Sequence, residues 1–519
     1  PEWNFVDMGI QQIGAVSVPL YPTITIEDYK FILEDSNSKI VFVSDQELYE
    51  KVIEAIKDFA DKPKVFSFER VTGIQQWTEI LPEDISSQEA EIEKRKSEIT
   101  PEDLLTIIYT SGTTGLPKGV MLTHNNLVSN FKSCFPLMPV DNKSRALSFL
   151  PLCHVYERML SYLYQFTGLA IYYAESLETI GDNLKEVKPH IFVTVPRLLE
   201  KVYDKIVAKG SELTGIKKSL FFWALGLGHS FEIDRNQGFF YNIQLKLANK
   251  IIFSKWREAL GGNVQAVVSG GAALQPRLAR IFWSANIRIM EGYGLTETSP
   301  VIAVNRVDPK ENRIGTVGPV IPGVEVKIAE DGEILTKGPH IMKGYYKRDD
   351  LTKEVINSDG FFHTGDIGEF REGKFLKITD RKKEMFKTSG GKYIAPQLIE
   401  NKIKESKVIE QVMVVGDGKK FASALLVPAF DGLRDWCKIK GIEYTTDQEM
   451  IQKDEIITKF QKEIDNANEN FAKWETIKKF HICTDLWTIE GGELTAKLSL
   501  KRREIMKKFD QQVEGFYAD

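Results

Sequence analysis

A loop rich in glycine, serine and threonine most constrains what this chain can fold into. It covers residues 109–119 (YTSGTTGLPKG) and follows an apolar run at residues 104–109 that predicts a buried strand. Glycine permits the tight backbone in which several N–H groups converge on one anion, and the hydroxyl groups add donors. Lys118 adds a mobile positive charge. The loop therefore predicts a phosphate-binding cradle, although its residue order differs from the GxxxxGK[ST] pattern of a Walker loop.

Helical and strand patterns alternate through the first part of the chain. Residues 28–35 have helical spacing, residues 39–43 form a short apolar and β-branched run, and residues 45–59 are helical again. Such alternation is typical of a mostly parallel sheet with helices on its faces. From about Gly315 the segments shorten and are punctuated by glycine and proline, which indicates small antiparallel strands.

A change in the sequence pattern near Asp380 predicts a domain boundary. The charged run DRKK ends the small strands there, and a helix, further strands and a basic tail follow. The chain of 519 residues is thus expected to fold as a large domain at residues 1–379 and a small α+β domain at residues 380–519. Because the chain begins with Pro1 inside what resembles structure, we also expect upstream residues to be missing.

Composition and charge exclude several classes of protein. Hydrophobic residues make up 42% and charged residues 27%, which is typical of globular chains and not of disordered or collagen-like ones. The 68 Lys and Arg residues nearly balance the 73 Asp and Glu residues, giving a net charge of −5, so we expect no nucleic-acid partner. The four cysteines are far apart and form no CxxC pair, which disfavours a disulfide framework or zinc site and favours a cytoplasmic location.

The most apolar stretch is residues 219–228 (SLFFWALGLG). It is shorter than the roughly 20 residues that a helix needs to span a bilayer. It predicts a buried helix, with a surface-seeking helix as the alternative.

Two later segments carry polar groups suited to a nucleotide. Residues 293–300 (YGLTETSP) contain Glu297, a hard oxygen ligand of the kind that Mg²⁺ prefers, and Thr296, which can contact a phosphate. Residues 363–368 (HTGDIG) contain Asp366, and carboxylates are the usual partners of ribose hydroxyls. Taken singly, the first segment is also explained by a solvated loop and the second by a capped turn.

The segment PLCHVYER at residues 151–158 places His154 three residues before Glu157. That spacing admits a metal pair or an acid–base pair. A packed, hydrogen-bonded histidine is the better explanation of the segment taken alone.

In its motifs the chain resembles the adenylate-forming (AMP-binding) superfamily, whose members activate carboxylates with ATP. Five segments carry the resemblance, in the superfamily's order: residues 109–119, 269–274 (SGGAAL), 293–300, 363–368 and 380–400 (DRKKEMFKTSGGKYIAPQLIE). Residues 1–5 and 14–23 resemble its first core element, so the resemblance covers nearly the whole chain. The form LPLxHxYER at residues 150–158 and the long stretch at residues 205–262 resemble long-chain fatty acyl-CoA synthetases.

This resemblance implies the fold and the roles of many residues. The fold would be a large α/β domain of layered αβ sheets with a small β-barrel-like part, followed by a small, mobile α+β domain. The nucleotide-binding residues would be Thr110, Ser111, Gly112, Thr113, Thr114, Gly115, Lys118, Gly270, Gly271, Ala272, Gly292, Tyr293, Gly294, Asp366 and Arg381. Thr296 would contact the α-phosphate, and Glu297 would hold the magnesium ion. Asp380 would be the hinge, and His154 would lie near the acyl and thioester end.

The resemblance also implies a lysine from the small domain that stabilises the charge developing on ATP. Residues 494–503 read LTAKLSLKRR and lack the proline and glycine that precede this lysine in the widespread family form. The family position falls on Ser499, which carries no charge. In an extended segment Lys497, Ser499 and Lys501 would share a face, so Lys497 is the first choice and Lys501 the alternative. A third interpretation makes both ordinary surface lysines.

The implied activity is that of a long-chain fatty acid–CoA ligase. ATP and a fatty acid would give an acyl-adenylate and pyrophosphate with Mg²⁺, and coenzyme A would then take the acyl group and release AMP. Two alternatives stay open: an acyl-AMP ligase that delivers acyl groups to a carrier protein, and a non-catalytic acyl- or nucleotide-binding relative. We further expect a homodimer and peripheral contact with the inner membrane face. The basic residues 497–508 offer a surface for that contact, but a solvated helix face is the better explanation of them.

Overall fold

The computed structural model describes residues 1–110, 116–488, 491–495 and 499–518. The chain divides into two compact units, each of which is assembled from three stretches of sequence. The first unit comprises Pro1–Lys327, Leu335–His363 and Arg371–Leu376, and the second comprises Ile328–Ile334, Thr364–Phe370 and Lys377–Asp519. The single boundary near Asp380 stays a prediction.

Nineteen helices and twenty strands make up the described structure. The helices are α1 (Glu2–Gln12), α2 (Ile26–Ser36), α3 (Gln46–Ile56), α4 (Ser86–Glu98), α5 (His124–Cys134), α6 (Val155–Thr167), α7 (Ile180–Val187), α8 (Pro196–Glu212), α9 (Gly215–His229), α10 (Phe239–Ala248), α11 (Ser254–Ala259), α12 (Pro276–Ser284), α13 (Asp349–Val355), α14 (Pro396–Ile403), α15 (Phe430–Lys440), α16 (Asp447–Ile451), α17 (Asp454–Asn468), α18 (Arg502–Lys508) and α19 (Asp510–Gly515). The strands are β1 (Ile40–Val43), β2 (Lys64–Ser67), β3 (Leu104–Thr110), β4 (Lys118–Thr123), β5 (Arg145–Ser148), β6 (Ala170–Tyr173), β7 (Ile191–Thr194), β8 (Ala266–Ser269), β9 (Ile289–Gly294), β10 (Val301–Val304), β11 (Glu325–Ile328), β12 (Glu333–Lys337), β13 (Gly344–Tyr345), β14 (Phe362–Arg371), β15 (Phe375–Arg381), β16 (Phe386–Lys387), β17 (Tyr393–Ile394), β18 (Ile409–Val415), β19 (Ala422–Pro428) and β20 (Ile477–Ile482).

A six-stranded sheet in the order β10-β9-β8-β7-β5-β6 forms the centre of the first unit. Its strands run parallel except for β10, which is antiparallel to β9. Every residue of β7 and β8 is buried, as expected for a parallel sheet that is covered on both faces. The predicted mostly parallel sheet is therefore confirmed. Loops at the carboxyl ends of such strands are where α/β sheets bind ligands.

A smaller antiparallel sheet, in the order β13-β4-β3, carries the glycine-rich loop. A Cβ atom at Gly119 in β4 would lie 2.8 Å from Ile107 Cγ2 and 3.2 Å from both Tyr109 and Tyr346. Glycine is therefore required there for β4 to approach these neighbours.

The short strands predicted after Gly315 form a four-stranded sheet in the order β11-β12-β14-β15. Strands β14 and β15 are joined by a turn in which both Glu372 and Gly373 have positive φ angles, of 51° and 66°. Two consecutive left-handed residues are typical of tight β-hairpin turns.

The C-terminal part of the second unit is an α+β fold, as predicted. Strand β19 lies between β18, to which it is antiparallel, and β20, to which it is parallel. Side chains from this sheet and from α14 and α17 form one hydrophobic cluster that includes Ile399, Val412, Leu426 and Phe460.

A fully buried arginine links distant parts of the first unit. Arg158 in α6 donates to Asp7 Oδ1 at 2.5 Å and to Ser17 Oγ at 2.6 Å. It also donates to Thr106 Oγ1 and to Tyr162 Oη, each at 2.7 Å. A buried charge is tolerated when it is paired and its donors are satisfied, as here. The network fixes β3, the strand that leads into the glycine-rich loop, to the start of the chain.

The apolar stretch at residues 219–228 lies in α9, but the expectation of a buried helix is only half right. Phe221, Ala224, Leu225 and Gly228 are buried, whereas Phe222 is 41% exposed. Across the described ranges of the chain, no helix has both the length and the hydrophobicity needed to cross a bilayer. All four cysteines are buried thiols.

Candidate active site

The glycine-rich loop joins two paired strands. Thr110 at the end of β3 lies opposite Lys118 at the start of β4, and its Oγ1 donates to the Lys118 carbonyl oxygen at 3.5 Å. Five of the predicted loop residues lie outside the described part of the chain: Ser111, Gly112, Thr113, Thr114 and Gly115.

A tyrosine that the sequence analysis missed connects two predicted site residues. The Lys118 ammonium group lies 5.2 Å from the centre of the Tyr345 ring, a cation–π distance. The Tyr345 hydroxyl donates to Glu297 Oε1 at 2.9 Å. Burial and the nearby Glu297 carboxylate raise the pKa of Tyr345, so the phenol keeps the proton that it donates. Lys118, Tyr345 and Glu297 thus form one contiguous chain of contacts.

The backbone around Glu297 is a short 3₁₀ turn, Thr296–Thr298. The Leu295 amide donates to Thr298 Oγ1 at 2.9 Å, and the Glu297 carbonyl accepts from the Met342 amide at 2.9 Å. Thr296 is buried, whereas Glu297 is only half-buried. The turn therefore holds the Glu297 backbone while its carboxylate stays accessible.

No group of three or more histidine, cysteine or carboxylate side chains that could hold a metal occurs in the described ranges. A Mg²⁺ ion often takes only one or two protein carboxylates and fills its other positions with water and phosphate oxygens. The lone accessible carboxylate of Glu297 fits that type of site.

The turn that contains the predicted nucleotide-binding residues Gly270, Gly271 and Ala272 is built by close packing. A Cβ atom at Gly270 would lie 3.1 Å from Tyr156 Cζ, and the Tyr156 hydroxyl itself donates to the Val268 carbonyl at 3.2 Å. Gly271 has a φ of +82°, a left-handed conformation that favours glycine. Ala272 follows on the exposed side of the turn.

Gly292, Tyr293 and Gly294 end β9 and pair with β10. A Cβ atom at Gly294 would lie 1.7 Å from the Pro300 carbonyl oxygen, so that position requires glycine. The packing at Gly292 is ordinary, with the nearest atom 3.6 Å from such a Cβ.

Glu291 is a second residue that the sequence analysis missed. Burial raises its pKa to about 8. Interaction with the Leu274 backbone opposes the effect of burial on the pKa of the Glu291 carboxyl. The only sequence signal was a carboxylate directly before a Gly-Tyr-Gly run, which indicates nothing about burial.

The two predicted ribose-binding residues lie together in the second unit. Arg381 Nε is 3.3 Å from Asp366 Oδ1. Asp366 is buried, whereas the Arg381 side chain is 49% exposed. The two side chains come from β14 and β15 and present one carboxylate and one guanidinium at the same place.

Lys382, the next residue, supports this pair. Its ammonium group contacts Asp331 at 2.6 Å and the buried carboxylate of Glu333 at 2.8 Å. Glu333 Oε1 accepts from the Gly365 amide at 3.0 Å, and the Lys382 amide donates back to the Gly365 carbonyl at 2.8 Å. The residues adjoining Asp366 and Arg381 are thereby fixed to one another.

The predicted hinge residue, Asp380, is buried near the end of β15. Its Oδ1 accepts from the Arg381 amide at 2.6 Å, and its Oδ2 has no hydrogen-bond partner among the residues the structure describes. Burial raises the pKa of Asp380 to about 7, and the carboxylates of Glu384 and Glu400 add to this effect. An ionised Asp380 is therefore disfavoured in this conformation.

His154 and Glu157 have separate structural partners. His154 precedes α6, and its Nδ1 accepts from the Tyr156 amide at 3.2 Å, as a helix-capping group does. Glu157 is fully buried and accepts from Ser148 Oγ at 2.5 Å, and burial raises its pKa to about 8. The pair shows no geometry of a metal site.

Two short stretches of the C-terminal tail pair with each other in the second unit. Leu494 bridges to Leu500, and the Thr495 amide donates to the Ser499 carbonyl at 2.9 Å. Lys497 lies outside the described residues, and Lys501 is exposed at the start of α18. Arg502 then anchors the helix, since its guanidinium donates to both oxygens of Glu400 at 2.7 and 2.8 Å.

Residues 1–346 match the sequence profile of the family described as "AMP-binding enzyme". Residues 384–519 match that of the "AMP-binding enzyme C-terminal domain". The chain belongs to the AMP-binding enzyme family.

Curated relatives of this AMP-binding enzyme share about a third of its residues along nearly its whole length. It is 34% identical to a protein of Mycobacterium bovis named long-chain-fatty-acid–CoA ligase FadD15, over 99% of this chain and 86% of the relative. It is 32% identical to the peroxisomal long chain acyl-CoA synthetase 7 of Arabidopsis thaliana, over 100% and 77%. It is 31% identical to long-chain-fatty-acid–CoA ligase 6 of Mus musculus, over the same shares.

Solved structures show the same fold at lower identity. The adenylation domain of a carboxylate reductase from Mycobacterium chelonae matches this AMP-binding enzyme with a TM-score of 0.73 at 22% identity, covering 99% of this chain and 79% of that one. The O-succinylbenzoate coenzyme A synthetase of Bacillus subtilis, solved in complex with AMP, matches with a TM-score of 0.64 at 18% identity, covering 97% and 85%. The predicted fold is therefore confirmed as acyl-CoA synthetase-like.

Proposed function

We propose that this chain is a long-chain fatty acid–CoA ligase that uses ATP, Mg²⁺ and coenzyme A. The observation that carries the proposal is the near-complete alignment with relatives of that name at 31–34% identity. An alignment of this extent includes the glycine-rich loop, the segments at residues 293–300 and 363–368, and the C-terminal tail, all in the same order along both chains.

In the first half-reaction a fatty acid carboxylate oxygen attacks the α-phosphorus of ATP, and the bond to pyrophosphate breaks. Lys118 supplies positive charge beside the glycine-rich loop, and Thr296 contacts the α-phosphate. Tyr345 fixes one oxygen of Glu297 and so orients the other. Such preorganised charge stabilises the transition state because it needs no rearrangement during the reaction.

Mg²⁺ fits this arrangement as a ligand of Glu297. When bound, it neutralises phosphate charge. Tyr345 contributes by holding the Glu297 carboxylate in one orientation before the ion arrives.

The remaining site residues have more specific roles in the proposal. Asp366 accepts from ribose hydroxyls and Arg381 donates to ribose or phosphate oxygens. Lys497, with Lys501 as the alternative, offsets the charge that develops on ATP. In the second half-reaction the coenzyme A sulfur loses its proton, attacks the acyl carbon and displaces AMP, after the small domain has turned at Asp380.

In this proposal His154 lies near the acyl and thioester end of the site. Its ring caps the start of α6 by accepting a hydrogen bond from the Tyr156 amide, which keeps the ring in a fixed place. The proposal also includes a cytoplasmic location, a homodimer and peripheral contact with the inner membrane face.

The test is pyrophosphate release with ATP, Mg²⁺ and carboxylic acids from acetate to stearate, with and without coenzyme A. We expect release to be greatest from laurate to stearate and to continue only with coenzyme A. Sustained release with an acyl-carrier protein instead of coenzyme A would identify an acyl-AMP ligase. Absence of release with every acid would contradict the enzymatic proposal and favour a binding relative.

A further inference from the structure

Helix α10 exposes an apolar face to solvent. Phe239, Ile243 and Leu247 recur every four residues and so lie on one face, where they are 73%, 49% and 49% exposed. Phe240 lies beside this row and is 79% exposed. These four residues are called the α10 outer face. Contiguous exposed apolar patches on soluble domains mark interaction surfaces.

The opposite side of α10 is already occupied by α9. The Tyr241 hydroxyl donates to the Leu227 carbonyl at 2.7 Å, and the Trp223 indole N–H donates to Gln244 Oε1 at 3.3 Å. The orientation of α10 is therefore settled, and its outer face cannot be the side that packs into the protein core.

The only charged residues in α10 and in the following turn, Asn249–Phe253, are two lysines, Lys246 and Lys250. From Arg235 to Arg257 the sequence contains five basic residues, and the acidic residues Asp234 and Glu258 border this stretch. Lys246 follows Ile243 by three positions, on the same face, and Lys250 follows one turn later. Residues 213–231, which include α9, likewise contain two lysines and no acidic residue.

We propose that the α10 outer face, together with Lys246 and Lys250, docks on an anionic phospholipid bilayer. A row of apolar side chains with lysines on the same face is the arrangement by which helices lie in the headgroup region of anionic membranes. A bilayer accepts two adjacent exposed phenylalanine rings without a shaped pocket. The inference goes beyond the ligase reaction and rests only on the peripheral-contact part of the proposed function.

The test is vesicle flotation of the full chain without ATP, fatty acid or coenzyme A. Vesicles of phosphatidylcholine are compared with vesicles of equal parts phosphatidylcholine and phosphatidylglycerol. We expect the chain to bind the mixed vesicles and to be released by salt. F239S/F240S is expected to lower the affinity at least about 10-fold, and K246Q/K250Q to lower it about 10-fold on mixed vesicles only.

A matched control is I439S/K440Q, which removes an apolar side chain that is 80% exposed and an adjacent exposed lysine from the second unit. This variant is expected to float like the unmodified chain. Circular dichroism and pyrophosphate release with dissolved laurate establish that each variant is folded.

Two results would overturn the inference. One is equal flotation of F239S/F240S and the unmodified chain, and the other is no binding of the unmodified chain to either vesicle. If sedimentation shows a dimer that only F239S/F240S dissociates, while vesicles bind nothing, the face is an interface between two copies. Loss of the ligase proposal would appear differently, as vesicle binding without pyrophosphate release.

Discussion

Tyr345 joins a cation and a carboxylate that are far apart in the sequence. Replacing it with phenylalanine keeps the ring beside Lys118 and removes the hydrogen bond to Glu297 Oε1. Hydrogen bonds to charged groups contribute about 1.5–3 kcal/mol, so we expect Tyr345→Phe to slow adenylation by about 10-fold or more. The rate of pyrophosphate release, measured as a function of Mg²⁺ concentration, should show a higher metal requirement.

The adjacent Tyr346→Phe is the matched control for this change, since it also removes one hydroxyl group. We expect its Mg²⁺ dependence to equal that of the unmodified enzyme. An unchanged Mg²⁺ requirement in Tyr345→Phe would show that the hydroxyl does not orient Glu297.

Asp380 makes the stability of the folded chain depend on pH. Its pKa rises from 3.8 to about 7 on folding. Between those values the Asp380 carboxyl is ionised in the unfolded chain but stays protonated in the folded chain. The free energy of unfolding therefore decreases as the pH rises and levels off above about pH 7. Asp380→Asn removes this loss, which amounts to at most about 4 kcal/mol at about 1.4 kcal/mol per pH unit.

Thermal midpoints of the unmodified chain and Asp380→Asn, measured at pH 5 and pH 8, test this expectation. The variant should gain stability relative to the unmodified chain at both values, and the gain should be clearly larger at pH 8 than at pH 5. An equal difference at both values would mean that Asp380 does not titrate in this range.

At the scale of the element, strands β14 and β15 carry the ribose pair and a support for it. Lys382→Met removes the contacts with Asp331 and Glu333 and leaves the buried Glu333 carboxylate without this cation. The Lys382 side chain is 46% exposed, so solvent weakens the effect. We expect the KM for ATP to rise about 3- to 10-fold with kcat changed less than about 2-fold, as for a positioning residue.

Lys377→Met is the control, because Lys377 lies in β15, the strand that Lys382 directly follows, and contacts Glu369 at 3.9 Å. Pairing Lys382→Met with Glu333→Gln should restore part of the ATP affinity, since the buried charge is then removed. An equal rise in KM for both single variants would indicate a general effect of the strand.

The elements also show what could be predicted from the sequence. The β3 strand and the Glu372–Gly373 turn follow from local patterns, because each depends on neighbouring residues. Tyr345 could not be found in this way. Its contact with Glu297 depends on β13 pairing with β4, and no spacing within either segment indicates that pairing.

The burial of individual carboxyl groups could not be predicted from the sequence pattern either. Glu291 and Glu157 have raised pKa values because the surrounding protein excludes water. A one-dimensional pattern records only that a carboxylate is present. Asp366 and Arg381, in contrast, are both predicted from separate motifs to bind the nucleotide, and the structure brings them within 3.3 Å.

At the scale of the whole molecule, the two half-reactions separate the candidate lysines. We expect Lys497→Ala to lower the rate of pyrophosphate release by roughly 100-fold, as the loss of a charge that stabilises the transition state does. Lys501→Ala should lower it only a few-fold. Transfer from synthetic acyl-adenylate to coenzyme A should proceed at the unmodified rate in both variants.

The reverse pattern would assign adenylation to Lys501, which is exposed at the start of α18. If both variants lower the rate of pyrophosphate release by the same small factor, Lys497 and Lys501 are ordinary surface lysines. The tail lacks the proline and glycine that precede the lysine in the widespread family form, so the assignment requires this measurement.

The buried network around Arg158 has a consequence for how this chain can change during evolution. Asp7 and Arg158 are 151 positions apart, yet they form one buried ion pair. If either residue is replaced by an uncharged one, the other is left as an unpaired charge in the protein interior. Breaking such a pair costs about 3–5 kcal/mol, a large share of the stability of a typical domain. In a randomised library, single replacements at either position should be depleted, and the survivors should carry compensating replacements at both. Substitutions in α1 and α6 are therefore expected to be coupled during evolution, although the two helices are far apart in the sequence.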